Sequence, residues 1–142
     1  MKLCSACLLG IRCRYDGKNN LNKKVLKLAR KEVLIPVCPE QLGGLPTPRT
    51  ESGVLGNRVL NQQRKDVTKN FVRGAKEVLR IAKLYDVKEA IFKQGSPSCG
   101  NGLVFQWKKI RNKWTNCKRK GDGITTALLK RNGIKVISEE NL

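Results

Sequence analysis

Three cysteines occupy equivalent positions in this sequence, each following an apolar run and preceding glycine or proline. Cys7 ends KLCSAC before LLG, Cys38 ends VLIPVC before PE, and Cys99 lies in the turn QGSPSCG that follows the apolar residues 90–92. A lone cysteine is more often a small buried side chain than a reactive one. Because these three share one placement, the sequence favours a common site, where three thiolates would hold a soft metal centre with one position left open.

The composition limits which residue types can bind a metal or transfer a proton. The chain has six cysteines and no histidine, which excludes histidine-based triads and mixed Cys/His zinc sites and leaves proton transfer to Glu, Asp, Lys, Tyr or a thiol. In a reducing cytoplasm, cysteines are metal ligands or nucleophiles more often than disulfide partners. Cys4, Cys13 and Cys117 lack the shared placement and are expected to be buried apolar side chains. Cys4 and Cys7 form one C-x-x-C pair, whereas a zinc signature normally has two.

Polar residues beside the cysteines could take part in acid–base chemistry. Glu40 follows Cys38 by two residues and could be a general base or an ordinary surface acid. Ser96 and Ser98 flank Pro97 just before Cys99, in a turn that favours serine for local reasons. From the residues alone, both interpretations stay open for the glutamate and for the serines.

The elements that must position these residues alternate along the chain. The predicted strands are 2–6, 34–37, 89–93 and 134–137, and the predicted helices start at 22, span 67–82 and span 124–129. Thr68 and Asp122 are the predicted N-caps, and strand 34–37 is either central or, because of Pro36, near an edge. The alternation predicts an α/β fold with a three-layer, mostly parallel, Rossmann-like sheet. The carboxyl ends of its strands would bring the three cysteines together.

Three segments do not follow this alternation. Residues 39–53 contain three prolines and three glycines and are predicted to lack regular structure. Residues 54–68 could form a small hairpin. Residues 101–120 contain seven lysines and arginines and no acid, interleaved with Phe105, Trp107 and Trp114. We expect this last segment to be a basic inserted hairpin or lid.

The charge of the chain is strongly positive. Lysine and arginine number 30 and aspartate and glutamate 11, for a formal net charge of +19. This charge is typical of proteins with a polyanionic partner, and equally of chains with a solvated basic surface. No apolar run reaches the ~18–20 residues of a membrane span, and the apolar start MKLCSACLLG is too short for a signal peptide. We therefore expect a cytoplasmic protein without membrane contact, folded as a single domain over residues 1–142.

Several motifs together carry a family resemblance. They are SACLLG followed by CRYDG, then VCPEQLGGLPTPR, DVT followed by F-x-x-GA, KQGSPSCG, and GITTALL followed by GIKVISEE. In this order they resemble domain-of-unknown-function family 523, which includes thiouracil desulfidase, and they span nearly the whole chain. The combination of CPE, GGLPTPR and SPSCG is highly specific.

The resemblance implies an iron-sulfur-dependent desulfidase that removes sulfur from thiouracil, or from a thiolated uridine in tRNA, and releases hydrosulfide. It implies a [4Fe-4S] cluster held by Cys7, Cys38 and Cys99, with one iron position open. It also assigns catalysis to Glu40, as the base that activates water, and to Ser96. The motifs supply three candidate substrate-binding residues: Asp16, Arg49 and Ser98.

Two stretches depart from the family's pattern. Thr50 and Glu51 follow PR where the family has further prolines, and VFQW stands where the family has IYDG; we expect both near the substrate pocket. Family relatives with a second domain act on thiolated tRNA, and the basic segment 101–120 could replace that domain. The alternative function is a basic nucleic-acid-binding module whose thiols hold zinc structurally.

Overall fold

The computed structural model describes all 142 residues and contains eight strands and four helices. The strands are β1 (Lys2–Ser5), β2 (Leu34–Val37), β3 (Ser52–Leu55), β4 (Arg58–Asn61), β5 (Glu89–Phe92), β6 (Leu103–Ile110), β7 (Lys113–Lys120) and β8 (Lys135–Ser138). The helices are α1 (Lys23–Ala29), α2 (Pro39–Leu42), α3 (Thr68–Leu84) and α4 (Ile124–Arg131). Two 3₁₀ segments follow β1 and β8: Ala6–Leu9 and Glu139–Asn141.

The first sheet is wholly parallel and has the strand order β2-β1-β5-β8. All four strands fall where apolar runs predicted them. β2 lies at an edge of the sheet, so the expectation of a central position is wrong and the edge alternative is correct. Pro36, which has no N–H to donate to a ladder, is tolerated there because one side of an edge strand is unpaired.

Helices cover both faces of the parallel sheet, which confirms the predicted three layers. Side chains that alternate along a strand point to opposite faces. Leu3 and Phe92 pack in the larger core cluster with Val78 of α3 and Leu129 of α4. The other face carries a smaller cluster with four buried members: Cys4, Leu8, Val25 and Ile91. The sheet is therefore held mainly by α3 and α4, with α1 and the first 3₁₀ segment closing the opposite face.

The second sheet has the order β4-β3-β6-β7 and was not predicted as a sheet. It consists of two antiparallel hairpins joined by a parallel pairing of β3 with β6 at Val54 and Gln106. The predicted hairpin in 54–68 is confirmed in part, since β3 and β4 span 52–61. The basic segment 101–120 is confirmed as a hairpin, hereafter the basic hairpin (β6 and β7). Its two-residue turn, Arg111 and Asn112, has φ of 50° and 62°, as a type I′ turn requires.

The helices differ from expectation at three places: one short helix was not predicted, and two predicted N-caps are absent. Residues 39–53 are not wholly irregular, because Pro39–Leu42 form the short α2 with proline in its first turn, where its missing N–H is no loss. Thr68 does not cap α3; its hydroxyl accepts from the N–H of Val59. Asp122 does not cap α4, because its carboxylate accepts from the N–H of Gly102 and pairs with Lys130. The Thr68 and Asp122 side chains thus bind backbone N–H groups outside their helices instead of capping them.

The long helix α3 follows its predicted pattern closely. Phe71, Ala75, Val78 and Ala82 are buried along one stripe, as their helical spacing predicts. This stripe fixes α3 against the sheet. The chain has no helix whose length and apolar character would allow it to span a membrane.

Candidate active site

A cavity of about 320 Å³ opens at the carboxyl ends of β1, β2 and β5. Residues of both sheets line it, and four of the six cysteines lie in its wall: Cys7, Cys13, Cys38 and Cys99. The three cysteines singled out by their shared placement are thus brought to one site. This is the edge of a parallel sheet where ligands bind in α/β proteins.

Cys7 is presented by the 3₁₀ segment that follows β1. Its carbonyl accepts from the N–H of Gly10 at 3.2 Å and of Asn20 at 2.9 Å. Gly10 has φ of +91°, a conformation that glycine adopts without strain. The SACLLG motif therefore turns the chain sharply after the strand, so that the Cys7 side chain reaches the cavity.

Cys38 stands at the N-cap position of α2. Its thiol contacts the Cys13 carbonyl oxygen at 3.8 Å and Glu40 Oε1 at 3.9 Å. Helix α2 is held by close backbone contact with α3, because a Cβ on Gly74 would overlap the carbonyl oxygen of Pro39. The glycine of F-x-x-GA thus fixes the position of the CPE motif.

Cys99 is held by a turn that docks on the start of α4. The Ser98 carbonyl accepts from Thr125 N at 2.9 Å and Thr126 N at 3.2 Å, and Thr126 Oγ1 donates to the Cys99 carbonyl at 2.8 Å. A Cβ on Gly123 would lie 2.5 Å from the Ser98 carbonyl carbon and oxygen. The GITT motif therefore serves to hold the SPSCG turn.

Glu40 and the two serines form a continuous hydrogen-bonded chain. Ser98 Oγ lies 2.9 Å from Glu40 Oε1, and Ser96 Oγ lies 2.9 Å from Ser98 Oγ. Ser96 Oγ also accepts from the N–H groups of Ser98 and Cys99, both at 3.2 Å. Glu40 and Ser96 line the cavity, whereas Ser98 is fully buried behind them.

Of the two remaining candidate residues, Arg49 lies at the cavity and Asp16 does not. Arg49 lies in the cavity wall with its side chain 10% exposed, and its guanidinium lies 4.0 Å from Glu40 Oε2. It also donates to the carbonyl of Cys13 at 2.9 Å. Asp16 does not line the cavity; it accepts from Lys18 N and pairs with Arg14 at 3.3 Å. The structure gives Asp16 a role in shaping its own loop.

The thiols around the cavity differ in acidity. Hydrogen bonding with Cys13 lowers the pKa of Cys7 and of Cys38. The pKa of Cys13 itself is raised, first by hydrogen bonding with Cys38 and then by hydrogen bonding with Cys7. Burial raises the pKa of Cys99, and the charge of Glu40 adds to that effect. Outside the cavity, burial raises the pKa of Cys4 to about 12. Cys7 and Cys38 are therefore the thiols that ionise most readily.

Sequence reasoning missed several residues of the wall. Cys13 was expected to be a buried apolar side chain and is 2% exposed, but it lies at the site. Its place at the start of the CRYDG motif was the signal in the sequence. Lys93, which directly precedes the QGSPSCG turn, also lines the cavity. The stretches that depart from the family's pattern contribute three wall residues: Thr50, Glu51 and Phe105.

The donor set fits an iron-sulfur cluster better than a single ion. No group of three or more Cys, Asp or Glu side chains is placed to hold one metal ion, which disfavours the alternative of a structural zinc site. Cys7, Cys38 and Cys99 instead surround a cavity with room for a group of several atoms. All six cysteines are free of disulfides, and thiolates are the usual ligands of iron-sulfur clusters.

Comparisons with known proteins agree with this geometry. A family model described as 2-thiouracil desulfurase matches residues 3–141. The uncharacterized protein YbbK of Bacillus subtilis (strain 168) is 36% identical over 152 residues, covering 100% of this chain and 97% of YbbK. A solved structure, that of the [4Fe-4S]-dependent thiouracil desulfidase TudS, has a TM-score of 0.88 and 38% identity, covering 99% of this chain and 91% of TudS. Both alignments cover nearly the whole chain.

Proposed function

Because the chain belongs to the 2-thiouracil desulfurase family, we propose that it is an iron-sulfur-dependent desulfidase that acts on thiouracil or a thiolated uridine and releases hydrosulfide. The observation that carries this function is the convergence of Cys7, Cys38 and Cys99 on one cavity at the ends of three parallel strands. A [4Fe-4S]-dependent thiouracil desulfidase shares the fold at a TM-score of 0.88, which supports the same chemistry here.

Cys7, Cys38 and Cys99 are the residues that would hold a [4Fe-4S] cluster. With three cysteine ligands one iron position stays open, and such an iron supplies a soft Lewis acid for the sulfur of a thiocarbonyl group. The lowered pKa of Cys7 and Cys38 favours the thiolate form that a ligand needs. Cys13 adds a fourth thiol beside these two and is not assigned as a ligand.

Glu40 is the proposed base that activates water for attack on the carbon that loses sulfur. An ionised carboxylate only accepts hydrogen bonds, so Ser98 donates to Glu40, and the Ser98 oxygen accepts from the Ser96 hydroxyl. The two serines thus form a directed chain of hydroxyls that runs from the cavity wall to the carboxylate. Ser96, which lines the cavity, is the serine placed to meet the substrate, and Ser98 links it to Glu40.

Arg49 is the proposed substrate-side partner of Glu40. Its guanidinium is anchored by the Cys13 carbonyl at 2.9 Å and by Thr47 Oγ1 at 2.9 Å. It lies 4.0 Å from the Glu40 carboxylate, so the two side chains form an ion pair in the cavity wall. Donors that remain on the cavity side of the guanidinium could bind an oxygen or nitrogen of the pyrimidine.

Thiolated tRNA is a second proposed substrate, supported by the basic hairpin. Seven lysines and arginines lie between 101 and 120, and Trp114 is 44% exposed with the Arg64 guanidinium 4.2 Å from its ring centroid. Lysine and arginine neutralise phosphates, while aromatic and guanidinium faces stack on unpaired bases. Lys118 of the same hairpin lines the cavity, so RNA bound to the hairpin would lie close to the site.

We further propose that residues 1–142 act as a single domain in the cytoplasm. Both sheets contribute residues to the cavity wall, for example Lys93 from the end of β5 and Asn116 from β7, so neither sheet alone would complete the site. The six free cysteines are typical of a reducing compartment.

The test of the function compares two metal-loaded forms of the same protein. Protein reconstituted anaerobically with iron and sulfide should absorb broadly in the visible range and convert thiouracil to uracil. Protein loaded with zinc should be colourless and inactive. Equal turnover by both forms, or none by the iron-sulfur form, would reject the desulfidase assignment.

A further inference from the structure

Lys93 and Glu139 form a largely buried ion pair at the edge of the cavity, hereafter the Lys93–Glu139 pair. Lys93 Nζ lies 2.7 Å from Glu139 Oε2, and the two side chains are 28% and 9% exposed. The other carboxylate oxygen, Oε1, accepts from the backbone N–H of Gln94 at 2.6 Å. Both oxygens of Glu139 are therefore engaged, and the carboxylate has a fixed position.

The backbone of Lys93 is also fixed, and it connects two of the strand ends that carry the cysteines. Its N–H donates to Ser5 Oγ at 2.9 Å. Ser5 is the last residue of β1, two positions before Cys7, and is 2% exposed. The Lys93 main chain thus ties the end of β5 to the end of β1, close to where Cys7 and the QGSPSCG turn emerge.

Of the two residues of the pair, the positively charged one contributes to the cavity wall. Lys93 belongs to the cavity wall, whereas Glu139 does not. An ammonium group has three N–H donors, and two of them are taken by Glu139 and by the Gln94 carbonyl at 3.3 Å. The third has no acceptor in the protein. A buried charge is retained where a partner compensates it, and the Glu139 carboxylate holds the ammonium group in this place.

We propose that the Lys93–Glu139 pair is an electrostatic positioning element of the cofactor site: its ammonium end offsets the negative charge of the three cysteine thiolates and the cluster they hold. This inference rests on the proposed function. Three thiolates bring negative charge to the site, and a fixed cation in the same cavity wall would make the metal centre a better acceptor for the electron pair of sulfur. Net charge around a cluster is also one of the determinants of its reduction potential, so the potential reports this role independently of turnover.

The test measures the reduction potential of the reconstituted cluster by spectroelectrochemistry. Replacing Lys93 alone would leave Glu139 buried without its partner, so the informative variant is the double change Lys93→Met with Glu139→Gln. Because the nearer, positive end of the pair is lost, the potential should shift to a more negative value than in the wild type. Lys93→Arg keeps the charge and should stay close to the wild-type potential.

The matched control removes an exposed pair of the same kind. Lys88 and Asp86 lie 3.1 Å apart with side chains 74% and 86% exposed, and neither lines the cavity. The variant Lys88→Met with Asp86→Asn should leave the potential unchanged, because exposed charges are screened by solvent. A cluster that loads normally in the Lys93→Met, Glu139→Gln variant with an unshifted potential overturns this inference alone. A wild-type protein that takes up no cluster overturns the proposed function and this inference with it.

Discussion

At the scale of single residues, the site depends on contacts between Glu40, the cysteines and their polar neighbours. Glu40 accepts a hydrogen bond from the Ser98 hydroxyl at 2.9 Å, and the Arg49 guanidinium lies 4.0 Å from its other carboxylate oxygen. Hydrogen bonding with Cys13 lowers the pKa of Cys38. The proposed base and one proposed cluster ligand thus each have a polar neighbour.

Replacing Glu40 by Gln should remove most turnover and leave the cluster in place. The carboxylate is the proposed base and not a ligand, and general acid–base catalysis is typically worth ~10²–10⁴ in rate. The measurement is kcat for thiouracil together with iron content and visible absorbance. A Glu40→Gln variant with near-normal kcat would refute the role of Glu40 as base.

The acidity of Cys38 should depend on Cys13. In metal-free protein, alkylation of Cys38 should begin at a lower pH than for an ordinary cysteine, because its pKa is lowered by the Cys13 hydrogen bond and the thiolate is the reactive form. Cys13→Ala should move this pH profile upwards. Mass spectrometry after brief alkylation over a pH series measures the effect, with Cys117→Ala as the control that leaves the profile in place. An unchanged profile in Cys13→Ala would contradict the contact.

At the scale of elements, helix and strand ends carry the proposed catalytic and ligand residues, and close backbone contacts fix these ends. Gly74 of α3 lets α2 approach until the Pro39 carbonyl is in contact with it. Gly123 lets the SPSCG turn rest on α4. The glycines of two motifs thus act through packing on residues far from them in sequence.

Gly74→Ala should destabilise the protein although it lies in a helix. An exposed helical glycine replaced by alanine would gain about 0.5–1 kcal/mol. Here the added Cβ overlaps the Pro39 carbonyl, and such overpacking costs about 1–3 kcal/mol. Urea unfolding measures the change, and Lys76→Ala, at an exposed position of the same helix, serves as the control with a change within ~0.5 kcal/mol. A stabilised Gly74→Ala variant would show that α2 is free to move.

The elements also show which parts of the site could be predicted from sequence. The apolar runs ending in Cys7, Cys38 and Cys99 gave their convergence correctly, because carboxyl ends of parallel strands share one edge of a sheet. The N-caps at Thr68 and Asp122 were wrong, since these side chains accept hydrogen bonds from Val59 and Gly102, which lie outside their helices. The second sheet escaped prediction because its parallel β3–β6 pairing joins residues about fifty positions apart and leaves no local pattern.

At the scale of the whole molecule, the basic hairpin adds a positively charged surface next to the cavity. The net charge of +19 is concentrated in part on the basic hairpin, whose turn region is exposed from Lys108 to Trp114. The hairpin belongs to the sheet that also contributes to the cavity. The proposed use of tRNA follows from this continuity.

Binding of tRNA should weaken steeply as salt rises. Each phosphate contact contributes about 0.7–0.9 to the slope of log K against log salt, so Lys109→Glu with Lys113→Glu should reduce that slope, and Trp114→Ala should remove a stacking contact worth about 1–3 kcal/mol. Fluorescence anisotropy with thiolated tRNA measures both effects. Turnover of free thiouracil by the triple variant should be preserved, since none of these residues lines the cavity. If the wild type binds tRNA no better than a lysine-rich protein of equal charge, only the small-molecule substrate remains.

The central claim is that thiouracil loses its sulfur at a cluster held by Cys7, Cys38 and Cys99, and one assay tests it most directly. Wild-type protein, Cys99→Ala and Cys117→Ala are reconstituted anaerobically in parallel, and uracil and hydrosulfide are quantified in the same reaction mixture without an electron acceptor. We expect equimolar uracil and hydrosulfide from the wild type and from Cys117→Ala, and neither product from Cys99→Ala, which should also lack the visible absorbance. Wild-type levels of both products from Cys99→Ala would contradict the three-cysteine site.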